Sequence, residues 1–243
     1  MSDTHVDEAA WMLPRQVVVP LDGSDTGARA LPFAHAFAGR TGAEVVTVHV
    51  GDPSDAAVHA DVHLTGAPVD ALLAFAEADP GRVLCVSSHG RTGLRRALLG
   101  SVAEQLVRRA GVPVVVVGPE VEIRPPVVLP RTMVVAVGSG QDRHGVAALA
   151  ERWAPLIGAR IERVHVGPQA REASAAELDG DVRVVPGDDP ATALLGLADE
   201  LAGPLVYVVG APPRDHGRPG RAVALQLVRH ARGPVLTHTT ADT

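Results

Sequence analysis

The chain repeats itself. Val48-His49-Val50-Gly51 returns as Val164-His165-Val166-Gly167, and Gly42-Ala43 returns as Gly158-Ala159 at the same interval. Pro68-x-x-Ala71-Leu72-Leu73 returns as Pro190-x-x-Ala193-Leu194-Leu195. Near the two ends, Leu106-Val107-Arg108-Arg109-Ala110 returns as Leu227-Val228-Arg229-His230-Ala231 at a slightly longer interval. Displacements of 116, 122 and 121 residues, so close to one value along the whole chain, are the mark of duplication with short loop insertions, so the chain must fold as two copies of one unit.

Prolines at 119, 125, 126 and 130 lie between the copies. Proline removes backbone donors and disfavours helix before it, so residues 119–130 read as a short extended linker. The expected organisation is a loose leader over 1–14, a first domain over 15–118, the linker, a second domain over 131–239 and a tail over 240–243.

Within copy one, strand and helix patterns alternate. Gln16–Leu21 is an apolar, β-branched run read as a buried strand. Residues 26–40 read as a helix with Pro32 in its first turn. Residues 43–50 follow as a second strand and 58–64 as a weak third. Residues 69–78 carry apolar Val69, Leu72, Leu73 and Ala76 at the spacing of one helix face. Arg82–Ser87 is a fourth strand, 102–110 a helix and 113–117 a fifth strand. Copy two repeats the order: strand 132–137, a helix to residue 156, strands 160–166 and 181–185, helix 191–201, strand 205–209, helix 222–231 and strand 234–238. Fully apolar strands alternating with helices imply a parallel sheet covered on both faces. The fold class is therefore α/β: two tandem doubly wound domains, each a five-stranded parallel sheet in a Rossmann-type three-layer sandwich.

Composition narrows the function classes. Aromatic residues make up 2% of the chain, so the cores are aliphatic and there are few stacking platforms for single-stranded nucleic acid. The net charge of −6 offers no general attraction to nucleic acid or an anionic membrane. No apolar run reaches the roughly 18 residues of a membrane span, and the N-terminal segment lacks the pattern of a signal peptide. One cysteine, Cys85, rules out an internal disulfide and reads as a buried core thiol. These features lead us to expect a cytoplasmic protein.

The segment after the fourth strand carries the chemistry. It runs from Ser87 through Gly90, Arg91, Gly93, Arg95 and Arg96 to Gly100-Ser101, where a helix begins. Its glycines allow close backbone approach, and the free N–H groups of a helix start favour an anion. The Ser101 hydroxyl can donate to a phosphate oxygen. A second reading is purely structural: Ser101 and Glu104 have the spacing of a capping box, and the glycines are turn residues. Asp22 stands at the carboxyl end of the first strand, where ligands of such sheets bind and where a carboxylate can take hydrogen bonds from ribose hydroxyls. It also suits an Asx-turn.

The run from Gly90 to Glu104 followed by Pro113-Val114-Val115-Val116-Val117 resembles the universal stress protein family. That family's nucleotide motif is Gly, two residues, Gly, nine residues, Gly, then Ser or Thr. Gly90, Gly100 and Ser101 match it, and Ser87 replaces the first glycine. The resemblance extends to Val18-Val19-Pro20-Leu21-Asp22-Gly23-Ser24 and, more weakly, over copy two. It implies an adenine nucleotide α-hydrolase-like fold and bound ATP, with Mg2+ escorted by the phosphates. Asp22 would hold the nucleotide, its neighbours Pro20 and Leu21 and the backbone at Val50 would face adenine, and Ser87, Gly90, Arg91, Gly93, Gly100, Ser101 and Val102 would surround the phosphates.

Copy two departs from the motif. Gly138 stands at the position of Asp22, and Arg221-Ala222 stand at the positions of Gly100-Ser101. Three prolines delete amides a phosphate cradle needs, so no nucleotide is expected there and copy two reads as a scaffold. The resemblance also implies dimerisation through the last strand, so duplication would let strand 113–117 pair with strand 234–238 inside one chain as a pseudo-dimer. A further homodimer and a protein partner are compatible with this. The eleven histidines suggest no dedicated metal site, and His49 and His165, at equivalent strand positions, suggest a shared packing role. No P-loop and no base poised to activate water are evident, so any hydrolysis is expected to be slow. Two other readings stay open: an interaction protein independent of nucleotide, and an adenylyl-group transferase.

Overall fold

The computed structural model describes residues 13–52, 58–88, 100–124, 126–137, 143–167, 181–201, 203–210 and 219–238. Its first half runs β1 (Gln16–Leu21), a 3-10 turn (Gly27–Ala30), α1 (Leu31–Thr41), β2 (Glu44–Val50), β3 (Val62–Leu64), α2 (Pro68–Glu77), β4 (Arg82–Ser87), α3 (Ser101–Arg109) and β5 (Val114–Val117). The second half runs β6 (Thr132–Ala136), α4 (Arg143–Ile157), β7 (Arg160–Gly167), β8 (Val182–Pro186), α5 (Pro190–Glu200), β9 (Leu205–Gly210), α6 (Pro219–His230) and β10 (Val235–His238). Leader residues before 13 and the tail 240–243 lie outside the described residues.

Every strand of the first half is parallel to its neighbours within that half, and the same is true of the second. The two halves join edge to edge. β5 and β10 pair antiparallel, Val116 with Val235, Val115 with Leu236 and Val114 with Thr237. The result is one ten-stranded sheet of order β3-β2-β1-β4-β5-β10-β9-β6-β7-β8. The junction gives the backbone groups of β5 and β10 partners they would lack as sheet edges.

Strand periodicity distributes the valines and leucines between two aliphatic layers. Val18, Val48, Leu84 and Val116 face the layer shared by α2, α3, α5 and α6. Val17, Val19, Val83 and Val115 face the opposite layer, which α1 and α4 cover. The linker joins that second layer. Val121 is buried, Ile123 and Val127 pack beside it, and Arg29 donates to the Val121 carbonyl at 3.0 Å. α1 and α4 meet across the halves through Phe37 and Trp153, whose ring centroids are 5.1 Å apart.

Local departures from the sequence pattern have local causes. The third strand spans only Val62–Leu64, not 58–64. Asp61 accepts from the Thr47 amide and hydroxyl while its own amide donates to Thr47 Oγ1, a side-chain closure that replaces ladder pairing before Val62. The first helix is split, a 3-10 turn ahead of α1, with Pro32 in the first α-helical turn as its missing N–H allows. Gly42 ends α1 at φ 77°, in the left-handed region that glycine occupies at little steric cost. α6 begins at Pro219 rather than 222.

Cys85 is fully buried, and desolvation pushes its thiol up to about 12, so it behaves as a small apolar core residue. His238, near the end of β10, is 7% exposed, and burial pushes its pKa down to about 4. Native His238 thus resists a proton that the unfolded chain takes up near pH 6.5. Stability is therefore expected to fall as pH drops from about 6.5 and to level off below about 4, with a total on the order of 3 kcal/mol. Urea midpoints measured between pH 7 and pH 4.5 check this, and His238→Gln should flatten the slope. Among the described residues no helix is long and apolar enough to cross a membrane.

Candidate functional site

The strand order places a topological switch between β1 and β4, because the chain builds outward from β1 to β3 and then returns to add β4 and β5. β1 stays paired with β2 as far as Leu21 opposite His49, but its pairing with β4 ends at Val18 opposite Leu84. Past Val18 the two strands part. Pro20, which has no N–H for a neighbouring strand, falls in this diverging stretch.

A cavity of about 350 Å³ fills the opening. This volume lies within the ordinary range for small-molecule sites. Val48, Val50, Leu72, Val86, Val102 and Ala103 line it with apolar surface. Polar groups stand at its margins: Asp22 after β1, Ser87 after β4, and Ser101 in the first turn of α3. Of the residues expected from sequence to hold the nucleotide, Pro20, Leu21, Asp22, Val50, Ser87, Gly100, Ser101 and Val102 all line this one cavity. Gly90, Arg91 and Gly93 lie outside the described residues, as do Arg95 and Arg96 of the same loop.

The turn that leaves β1 holds Asp22 in place. Asp22 Oδ1 accepts from the Ser24 amide at 3.0 Å and from the Ser24 hydroxyl at 2.6 Å, and Ser24 Oγ in turn accepts from the Gly27 amide at 3.0 Å. The Asx-turn and the position on the cavity wall coexist, since a carboxylate has about four acceptor sites. Gly27 is required for this arrangement: a Cβ there would stand 2.3 Å from Asp22 Oδ1. Ser87 Oγ donates to the Gly27 carbonyl at 3.3 Å, tying the end of β4 to the same turn.

At the opposite margin, Gly100 is the N-cap of α3 with extended dihedrals of −60° and 141°, and Glu104 N–H donates to its carbonyl at 2.9 Å. The amides of Ser101, Val102 and Ala103 are thus the first of the helix, without intrahelical partners. The capping box suggested by Ser101 and Glu104 does not form. Ser101 is the first helical residue, not the cap, and Glu104 accepts from Arg108 Nη2 at 2.7 Å. An exposed hydroxyl and three helix-start amides therefore border the cavity, the arrangement that suits an anion.

Sequence reasoning missed Gly27, Val48, His49, Pro68, Leu72, Val86 and Ala103, which also line the cavity. The apolar ones are indistinguishable from core residues in the sequence. His49 left a signal, its recurrence as His165. Its Nδ1 lies 2.8 Å from the Leu21 carbonyl, and His165 Nδ1 lies 2.9 Å from the Val137 carbonyl. In copy two, Arg221 is inside α6, which begins three residues earlier than the position equivalent to Ser101. Gly138 and the loop 211–218 lie outside the described residues.

The chain is similar to known proteins in sequence over its first half and in fold over both halves. The model of the universal stress protein family matches residues 14–63 and 56–118, both in the first half. A solved universal stress protein in complex with cAMP is 30% identical over 43% of this chain and 97% of its own, with a TM-score of 0.35. The chain belongs to the universal stress protein family. Universal stress protein MJ0531 of Methanocaldococcus jannaschii is 28% identical over 141 residues, which is 43% of this chain and 82% of that protein. Over both halves the chain shares its fold with a universal stress protein from Archaeoglobus fulgidus. That structure matches at a TM-score of 0.70 and 16% identity, with 96% of this chain and 99% of the other covered. The tandem α/β architecture is thus a universal stress protein fold.

Proposed function

We propose that this universal stress protein binds ATP in its first half and uses it as a regulatory ligand, with the second half acting as a covalent pseudo-dimer partner. The observation that carries the reading is the switch-point cavity itself. It offers apolar walls for a base, a carboxylate at 22 for ribose hydroxyls, and the first turn of α3 for phosphates. The ligand chemistry and the donor set match: one acidic acceptor, one hydroxyl and a row of backbone amides. Gly90, Arg91 and Gly93 would complete the phosphate side and Mg2+ would accompany it. Binding would stabilise one conformation and so alter affinity for a protein partner, in a cytoplasmic setting.

Calorimetric titration of the purified full chain with ATP, ADP, AMP, cAMP and GTP tests the reading. One ATP site per chain is expected, with GTP much weaker. Gly100→Val should weaken ATP by about tenfold or more, because a branched side chain would crowd the amides that approach the phosphates. No heat with any nucleotide, and none released on denaturing the protein, would favour a nucleotide-independent interaction module. Rapid turnover of labelled ATP would point instead to an enzyme.

A further inference from the structure

His49 lies at the C-terminal end of β2, directly opposite Leu21 in the β1–β2 register. Its Nδ1 is 2.8 Å from the Leu21 carbonyl oxygen. A carbonyl only accepts, so Nδ1 carries the proton and Nε2 of the neutral ring is a bare acceptor. The residue is 6% exposed and lines the cavity, and Nε2 is shielded from solvent with no hydrogen-bond partner among the described residues. Leaving a buried acceptor unpaired opposes folding, so a leucine or methionine would serve simple packing better. The fold nevertheless makes room for the ring: a Cβ at Gly51 would stand 2.5 Å from Nε2.

The Leu21 carbonyl belongs to the peptide that leads into Asp22. On the β4 side the ladder of β1 ends with Val18, so the backbone pairing nearest Asp22 is the one with β2. We infer that His49 is a positioning residue for the nucleotide site: its Nδ1–H fixes the Leu21–Asp22 peptide and thereby aims the Asp22 carboxylate at the ribose. This rests on the nucleotide reading proposed above. The second half supplies an internal control. His165 makes the same bond to Val137, but the next residue there is Gly138, which has no carboxylate to aim.

The test compares ATP affinity and thermal midpoint for His49→Leu, His49→Asn, His49→Gln and His165→Leu in the full chain. His49→Leu should weaken ATP about five- to tenfold, the worth of one net hydrogen bond. His49→Asn, whose amide nitrogen takes the place of Nδ1, should restore most of that loss. His49→Gln moves the amide one carbon away and should not restore it, which gives a second reading if the leucine variant fails to fold. His165→Leu should lower the midpoint with ATP affinity unchanged. The deciding measurement is a cycle with Asp22→Ala, read at millimolar nucleotide: in that background His49→Leu should cost less than about twofold, because the group it aims is gone. An undiminished cost there, an asparagine variant as weak as leucine, or an equal affinity loss in His165→Leu would overturn the inference. Tight ATP binding by wild type and by His49→Leu alike would overturn it while leaving the nucleotide reading intact. No binding by wild type would remove both.

Discussion

Asp22→Ala is expected to weaken ATP by roughly a hundredfold, and Gly27→Ala to reproduce most of that loss without removing any charged group. The first figure comes from charge-assisted hydrogen bonds between a carboxylate and ribose hydroxyls, about 1.5–3 kcal/mol each. The second is a matter of space. A methyl group at 27 would lie 2.3 Å from Asp22 Oδ1 and 3.3 Å from Ser24 Oγ, so the carboxylate must leave its turn. Alanine suits a helix start better than glycine does, so the 3-10 turn at Gly27–Ala30 should persist. The expected signature is lost affinity with a thermal midpoint within a few degrees of wild type. Titration calorimetry and a melting curve on the same samples check it. Full ATP affinity in Gly27→Ala would mean that the carboxylate's present orientation is irrelevant to binding.

Trp153→Ala is expected to cost about 3–5 kcal/mol of stability, the range for removing a buried aromatic side chain. Trp153 is 1% exposed on α4 and packs at 5.1 Å, tilted by 50°, against Phe37 of α1. That pair crosses between the two halves, so the cavity left behind would open the layer that binds them. Against a typical total of about 5–15 kcal/mol, such a loss is large. Urea unfolding should show an earlier midpoint. If α1 and α4 separate independently of the sheet junction, the single transition expected for wild type should split in two. ATP affinity should change less than about threefold. The switch-point cavity draws its apolar walls from Leu72, Val86 and Val102, whereas Trp153 belongs to the opposite layer. An unchanged midpoint would mean that the α1–α4 contact contributes little to joining the halves.

Much of the lining of the candidate site was legible because its polar parts occupy positions that chain order alone specifies. Asp22 ends a strand, Ser87 ends another, and Gly100-Ser101 opens a helix. All of them reach the same cavity because parallel strands put their carboxyl ends on one side. The walls were not legible. Val48, Leu72 and Val86 obey the same strand and helix periods as residues that never meet a ligand, so nothing in their spacing separates wall from core. The capping-box spacing at Ser101 and Glu104 misled for a related reason. A motif of two residues cannot tell whether the helix starts at the serine or at the glycine before it, and here the glycine caps. The bond from His49 to Leu21 joins residues 28 positions apart and needs the β1–β2 register to exist at all.

By itself the sequence determined the duplication and the alternation of strand and helix, since these rest on internal recurrence and on periods of two and 3.6 residues within short windows, whereas the layer each valine enters came from the structure. How the halves meet was decided only in three dimensions. Strand edges recognise one another through backbone N–H and C=O groups, which every residue but proline carries alike, so Val114–Val117 names no partner in its side chains. The junction with β10 was an expectation from family resemblance alone. Likewise the cavity is a property of no single segment: it opens where β1 and β4 stop pairing beyond Val18, and residues of α2 and α3 complete its walls.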